Sequence, residues 1–266
     1  MILTPENYHS REANLHYMSV SQYKDFLKCE AAAFAKLNEE YEEPNNYSLI
    51  LGSYVHAAIE GPEAIENFKE AHPCIFSSRG NTKGELKAEY KNADKMIEVI
   101  LNDPLCAQML TGTKEVIITA ELFGVLWKAK IDVLNDGEGR LTDLKTVKSI
   151  SEKYWLNGRP VSFVEAFGYD VQMSVYTELE RLHNKRFEHL EPFIVAVSKE
   201  DEPDKAVICF DELMIEQQLA KVQQNIGRAM DVKQGFEEPK RCEQCRYCRK
   251  TKKAGIIHYL NLLEVG

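Results

Sequence analysis

Apolar positions along the chain follow two different periods. Before residue 113 they recur every three or four positions, the helical spacing. Behind a Ser19 cap, Val20, Tyr23, Phe26, Leu27, Phe34 and Leu37 form one stripe and predict a helix from Ser19 to Leu37. The polar stretch from Glu40 to Asn46, containing Pro44, ends it. A second predicted helix runs from Ser48 to Glu60 and stops at Gly61-Pro62. Helices continue through residues 62–110, with a loop at His72-Pro73 and a break at Ser77 to Asn81. From Lys114 the pattern changes to β-prone runs: Glu115 to Phe123, a bend at Gly124, Trp127 to Leu134, and Arg140 to Lys145. A helix from Ser162 to His183, strands at Phe193–Ser198 and Ala206–Phe210, and a helix from Asp211 to Gln234 complete the regular part. The pattern divides one domain into a mainly helical part (1–113), a core (114–235) and a tail (236–266).

The turn Asn135 to Gly139 tolerates the positive φ of a tight reversal, so the flanking strands read as a hairpin. Centring it between Gly137 and Glu138 puts Asp132 across from Asp143 and Lys130 across from Lys145. Alternate residues share a strand face, so these four side chains would form one polar cluster. Facing carboxylates repel each other and weaken strand pairing. A divalent cation removes that conflict, because hard ions such as Mg²⁺ prefer carboxylate and carbonyl oxygens. Lys145 would then stand one residue beyond the ion, placed to orient or deprotonate a water. A solvent-facing hairpin in another register is the alternative that these residues leave open.

Ile131-Asp132 followed by Asp143-Leu144-Lys145 resembles the core of the PD-(D/E)xK nuclease superfamily, and more narrowly the RecB-like and RecE-like phage exonucleases. Three further segments carry the resemblance: Gly52 to Glu60, Gln172 to Tyr176, and the cysteine-rich end. Ile131 stands where the signature has proline, and Asp143 takes the variable acid position. The resemblance implies an α/β fold, a restriction-endonuclease-like central mixed sheet flanked by helices, with a helical N-terminal region and a cysteine-rich C-terminal tail. It implies catalysis by Asp132, Asp143 and Lys145, with Gln172 and Tyr176 orienting Lys145 and the phosphate. Mg²⁺ or Mn²⁺ would sit on Asp132, Asp143, the Leu144 carbonyl and His56. By its residues alone His56 is either a packed core histidine or a ligand; the Gly52-to-His56 spacing matches the family's ligand helix. Glu121, one strand upstream, is either a further ligand or a polar edge residue. The function implied is an exonuclease acting on the ends of linear duplex DNA for recombination or repair. Ring-shaped homo-oligomers and a single-strand annealing protein as partner are implied with it. The alternative is a catalytically inactive DNA-end-binding or scaffold module.

Bulk properties narrow this only a little. No apolar run among the 266 residues approaches a membrane span, and the first residues lack the pattern of a signal peptide, which predicts a cytoplasmic protein with reduced thiols. A net charge of -9 argues against a wholly basic nucleic-acid coat but says nothing of a local groove. Lys83, Lys87 and Lys91 at i, i+4, i+8 read as a solvated helix face or a phosphate rail. In the tail, Cys242, Cys245 and Cys248 at C-x2-C-x2-C read either as metal ligands in a reducing compartment or as free thiols on a basic tail that touches DNA. The resemblance implies Cys29 as the fourth ligand and a [4Fe-4S] cluster, with Zn²⁺ as the competitor.

Overall fold

The computed structural model describes residues 1–44, 47–256 and 258–260. The helical N-terminal part comprises α1 (Arg11–His16), α2 (Val20–Lys28), α3 (Glu30–Leu37), α4 (Tyr47–Glu60), α5 (Pro62–Ala71), α6 (Ala88–Leu101) and α7 (Pro104–Met109). Strands β1 (Thr113–Leu122), β2 (Val125–Asn135) and β3 (Arg140–Val147) follow. A small hairpin of β4 (Tyr154–Leu156) and β5 (Arg159–Val161) leads into α8 (Phe163–Ala166) and α9 (Tyr169–His183). Then come β6 (Glu191–Ser198), β7 (Lys205–Cys209), α10 (Glu212–Lys233) and α11 (Arg246–Thr251).

The central sheet is mixed and five-stranded, in the order β1-β2-β3-β6-β7. Only the β3–β6 pairing is parallel, because α8 and α9 cross between those strands. Both faces are covered, so β6 is apolar throughout its middle rather than alternating. Ile194 and Ala196 face one cluster with Trp127, Leu179 and Val222. Val195 and Val197 face another with Val55, Tyr90 and Met96. This is the nuclease-like architecture that the resemblance implied.

Three departures from the periodic reading have local causes. The helix expected over Ser19–Leu37 is interrupted at Cys29, which is extended at φ -164°, ψ 104°. That break lets the Ala31 N–H donate to the Lys240 carbonyl of the tail at 3.0 Å. The helix expected over Ser162–His183 breaks at Gly168, whose φ of 62° lies in the left-handed region that glycine tolerates. Lys83, Lys87 and Lys91 do not share a helix face, because α6 begins at Ala88 and Lys87 is its N-cap. Asn45 and Asn46 of the expected break, and residues 257 and 261–266 of the tail, lie outside the described residues.

Candidate active site

The β2–β3 hairpin adopts the register expected of it, pairing Asn135 with Arg140, Leu134 with Leu141 and Val133 with Thr142. Pairing stops there, although β2 continues along β1 and β3 continues along β6. The two strands therefore splay at the next position, which is Asp132 on one and Asp143 on the other. Splaying leaves the Leu144 N–H without a ladder partner, and Asp132 Oδ2 accepts it at 2.8 Å. The divergence opens a cleft of about 990 Å³, lined by Glu115, Lys130, Asp132, Lys145, Lys148 and Lys199 among others.

His56 reaches this cleft from α4, its Nδ1 standing 3.4 Å from Asp132 Oδ2. Gly52, one turn earlier, allows the approach: a Cβ there would meet Thr146 Oγ1 of β3 at 3.3 Å. From the opposite side comes Glu115. The pairs Lys114–Val133 and Val116–Ile131 put it across from Asp132, with a φ of 54° unusual for a strand residue. Donor atoms of His56, Glu115 and Asp132 all lie within 4.8 Å of one another. Burial raises the Asp132 carboxyl to about 6; His56 opposes the shift and the charge of Asp143 adds to it.

Asp143 sits beside this triad rather than in it. Its Oδ1 accepts from Gln172 Nε2 at 2.6 Å. Its Oδ2 meets Lys145 Nζ at 2.5 Å as an ion pair, yet this buried oxygen receives no well-directed hydrogen bond. This lysine-paired carboxylate oxygen, next to two further carboxylates and an imidazole, fits a hard divalent cation. Burial alone would lower the Lys145 pKa, but Asp143 and Asp132 outweigh it and hold the ammonium above its ordinary value. Its Nζ also lies over the Tyr169 ring, 4.9 Å from the centroid.

Most predicted site residues converge here, with corrections. Asp132, Asp143, Leu144, Lys145, His56 and Gln172 meet around the splay, but Gln172 holds Asp143 rather than Lys145. Tyr176 lines a pocket with Tyr8 and Lys128, where burial raises its hydroxyl's pKa and the charges of Asp143 and Asp132 are close enough to help, and the ring under Lys145 is that of Tyr169. Lys130 joins through an ion pair with Glu115 instead of facing Lys145. Glu121 does not join: it pairs with Leu126, is exposed, and lies about 20 Å along β1 from Glu115 at ~3.3 Å per residue. Glu115 and Tyr169 were the omissions. Register arithmetic on the β1–β2 turn would have found Glu115, because Phe123 and Gly124 both have positive φ, as a two-residue hairpin turn requires.

A second cluster lies at the other end of α2. Cys29, Cys242, Cys245 and Cys248 bring their sulfurs within 4.8 Å of one another. Cys29 Sγ stands 3.6 Å from Cys248 Sγ, and Cys242 Sγ 4.0 Å from it. The N–H of Cys245 donates to Cys242 Sγ at 3.2 Å, and that of Cys248 to Cys245 Sγ at 3.4 Å. The tail is also docked by Glu30, which accepts from the Lys240 N–H at 2.7 Å and from Arg228 on α10.

Comparison with known proteins agrees with this geometry. The family model described as "PDDEXK-like domain of unknown function (DUF3799)" matches residues 19–251. The crystal structure of a protein from Eubacterium rectale, titled "Putative exonuclease", is 37% identical, with a TM-score of 0.91 over 100% of this chain and 99% of that one. SSO0001 aligns at 14% identity over 88% of this chain and 98% of its own, with a TM-score of 0.30, and carries no argument. No curated protein matches. By the family match over most of its length, with Asp132 and Lys145 of that motif lining one cleft and Asp143 paired to the lysine, the chain belongs to the PDDEXK-like family.

Proposed function

We propose that this PDDEXK-like nuclease is a divalent-metal-dependent deoxyribonuclease that degrades linear duplex DNA from its ends. One observation carries the reading: Glu115, Asp132 and His56 converge beside the Asp143–Lys145 pair where two strands splay into an open cleft. Glu115, Asp132, His56, the lysine-paired Oδ2 of Asp143 and the Leu144 carbonyl would hold Mg²⁺ or Mn²⁺. Such an ion supplies Lewis acidity at the scissile phosphate and makes water a stronger nucleophile.

The chain's own groups do the rest. Lys145, kept as an ammonium, donates to a phosphoryl oxygen or to the attacking water and balances charge that develops during displacement. The Tyr169 face supports that charge without occupying its N–H donors. Gln172 fixes the rotation of Asp143, so its second oxygen faces the site. The Leu144 N–H does the same for Asp132. Service in phage or prophage recombination, a ring-shaped homo-oligomer and an annealing partner complete the proposal and rest on the resemblance, while a cytoplasmic location rests on the first residues and the lack of a long apolar run. Attack from ends is favoured by the Eubacterium rectale relative's title.

The test is digestion of linear and covalently closed circular duplexes with Mg²⁺ or Mn²⁺, with and without chelator. Wild-type protein should consume only the linear substrate. Lys145→Ala should lose at least about 100-fold in rate while binding DNA and melting as wild type does. Retained metal-dependent cleavage by Lys145→Ala refutes the site. Binding to ends with no hydrolysis by wild type would instead establish an inactive end-binding module.

A further inference from the structure

The cysteine cluster has a geometry that separates two metal chemistries. All seven cysteines are free thiols. The sulfur separations of 3.6 and 4.0 Å exceed a disulfide bond of about 2.05 Å by far. A tetrahedral ion with metal–sulfur bonds of ~2.3 Å sets its four sulfurs about 3.8 Å apart. A [4Fe-4S] cluster carries each thiolate on a different corner of an iron tetrahedron, which spreads the sulfurs to roughly 6 Å. Here all four sulfurs lie within 4.8 Å of one another. The space between them admits one ion and excludes a cubane.

We propose that Cys29, Cys242, Cys245 and Cys248 hold a single structural zinc ion, in place of the iron–sulfur cluster that the family resemblance implies. The surroundings support a closed tetrathiolate site. Cys29 and Cys248 are buried, and N–H groups of the knuckle donate to the sulfurs of Cys242 and Cys245, which steadies the thiolates. Soft thiolates select zinc over the hard cations suited to the cleft. Arg241 donates to the Cys248 carbonyl, and Arg246 and Arg249 follow in the same segment, bringing positive charge to a site whose four thiolates and one ion sum to minus two.

The site also explains a packing deficit. Among the described residues, Ala31 is the only buried apolar residue beside the clasp cysteines, with Ala32 and Tyr247 partly buried against them. That core is too small to hold the tail, which has little regular structure between α10 and α11. The metal replaces the missing core and joins chain ends more than 200 residues apart in sequence, Cys29 to Cys248 being separated by 219 positions. The interruption between α2 and α3 then has a cause, since an extended Cys29 turns its thiol out of the helix and into the clasp.

Elemental analysis of the full-length protein, purified without oxygen, should find about one zinc per chain and neither iron nor acid-labile sulfide. Cobalt-loaded protein should show the visible bands of tetrahedral thiolate coordination. In the native protein a thiol reagent should react rapidly with the exposed Cys74 and Cys209 only, and with the clasp after zinc is stripped. Cys245→Ser should lose most of the bound zinc, whereas Cys74→Ser with Cys209→Ser should keep it. Iron in place of zinc, or no metal with Cys242 and Cys245 reacting as fast as Cys74, overturns the assignment. Because the readouts are metal content and thiol reactivity of wild-type protein, failure here leaves the nuclease reading standing.

Discussion

At the residue scale, the carboxyl of Asp132 decides how the site behaves without its ion. Burial holds it near pKa 6, against an ordinary value of 3.8, so ionisation in the fold costs stability. The sign follows: the folded state binds this proton more tightly than the unfolded chain, so the penalty is present above about pH 6 and fades as pH falls toward 4. Asp132→Asn, which keeps an acceptor for the Leu144 N–H, should therefore be more stable than wild type at pH 8 in buffer free of Mg²⁺ and Mn²⁺. The gain should be on the order of 2 kcal/mol and shrink below pH 6. Thermal melts of both proteins across that range check it, and a less stable variant at pH 8 contradicts the burial account.

At the element scale, a half-buried imidazole ties α9 to α10. His189 meets Glu178 of α9 at 2.7 Å through Nε2 and Glu212 of α10 at 2.8 Å through Nδ1. Its hydrogen bond to Glu178 raises its pKa. Burial would raise Glu178, but Arg181 and His189 outweigh it and lower the carboxyl to about 2. The histidine's contribution is full below pH 6.5 and is lost as pH rises through its folded value. The glutamate's is full above pH 4.5 and is lost toward pH 2. The pair is therefore strongest between those limits. His189→Ala should destabilise by about 1–2 kcal/mol at pH 5.5 and by less at pH 9. Chemical denaturation at the two pH values tests this; an equal loss at both would mean that the imidazole's packing, not its charge, matters.

At the scale of the whole molecule, a chain of net charge -9 must meet DNA through a local field. The cleft supplies one, with Lys130, Lys145, Lys148 and Lys199 along its walls. Lys148 is largely exposed, with its side chain 77% accessible. Lys148→Ala should weaken binding uniformly across sequences and reduce the slope of log K against log salt by about 1. Titrations of catalytically dead Lys145→Ala protein, with and without the second change, measure it, and an unchanged slope removes Lys148 from the interface. The cysteine cluster lies at the Cys29 end of α2 and the His56–Glu115–Asp132 cluster at the β2–β3 splay, so the molecule keeps its soft sulfur donors apart from its hard oxygen donors.

The sequence by itself determined what short-range physics governs. Turn chemistry at Asn135–Gly139 set the hairpin register, and alternation along β2 and β3 put Asp132 and Asp143 side by side. The spacing from Gly52 placed His56, because a helix fixes its own geometry within a turn or two. Tertiary structure decided what depends on neighbours far along the chain. The choice of Glu115 over Glu121 followed from where β1 meets β2, and the place of Tyr169 under Lys145 from the way α9 starts beside that lysine while packing along β1, β2 and β6. The break at Cys29 was invisible to periodicity, since the apolar stripe of α2 runs on into the Ala-rich α3 and favours a continuous helix. Only the arrival of three cysteines from the other end of the chain makes that break favourable, because local propensity of a few tenths of a kcal/mol per residue yields to tertiary contacts.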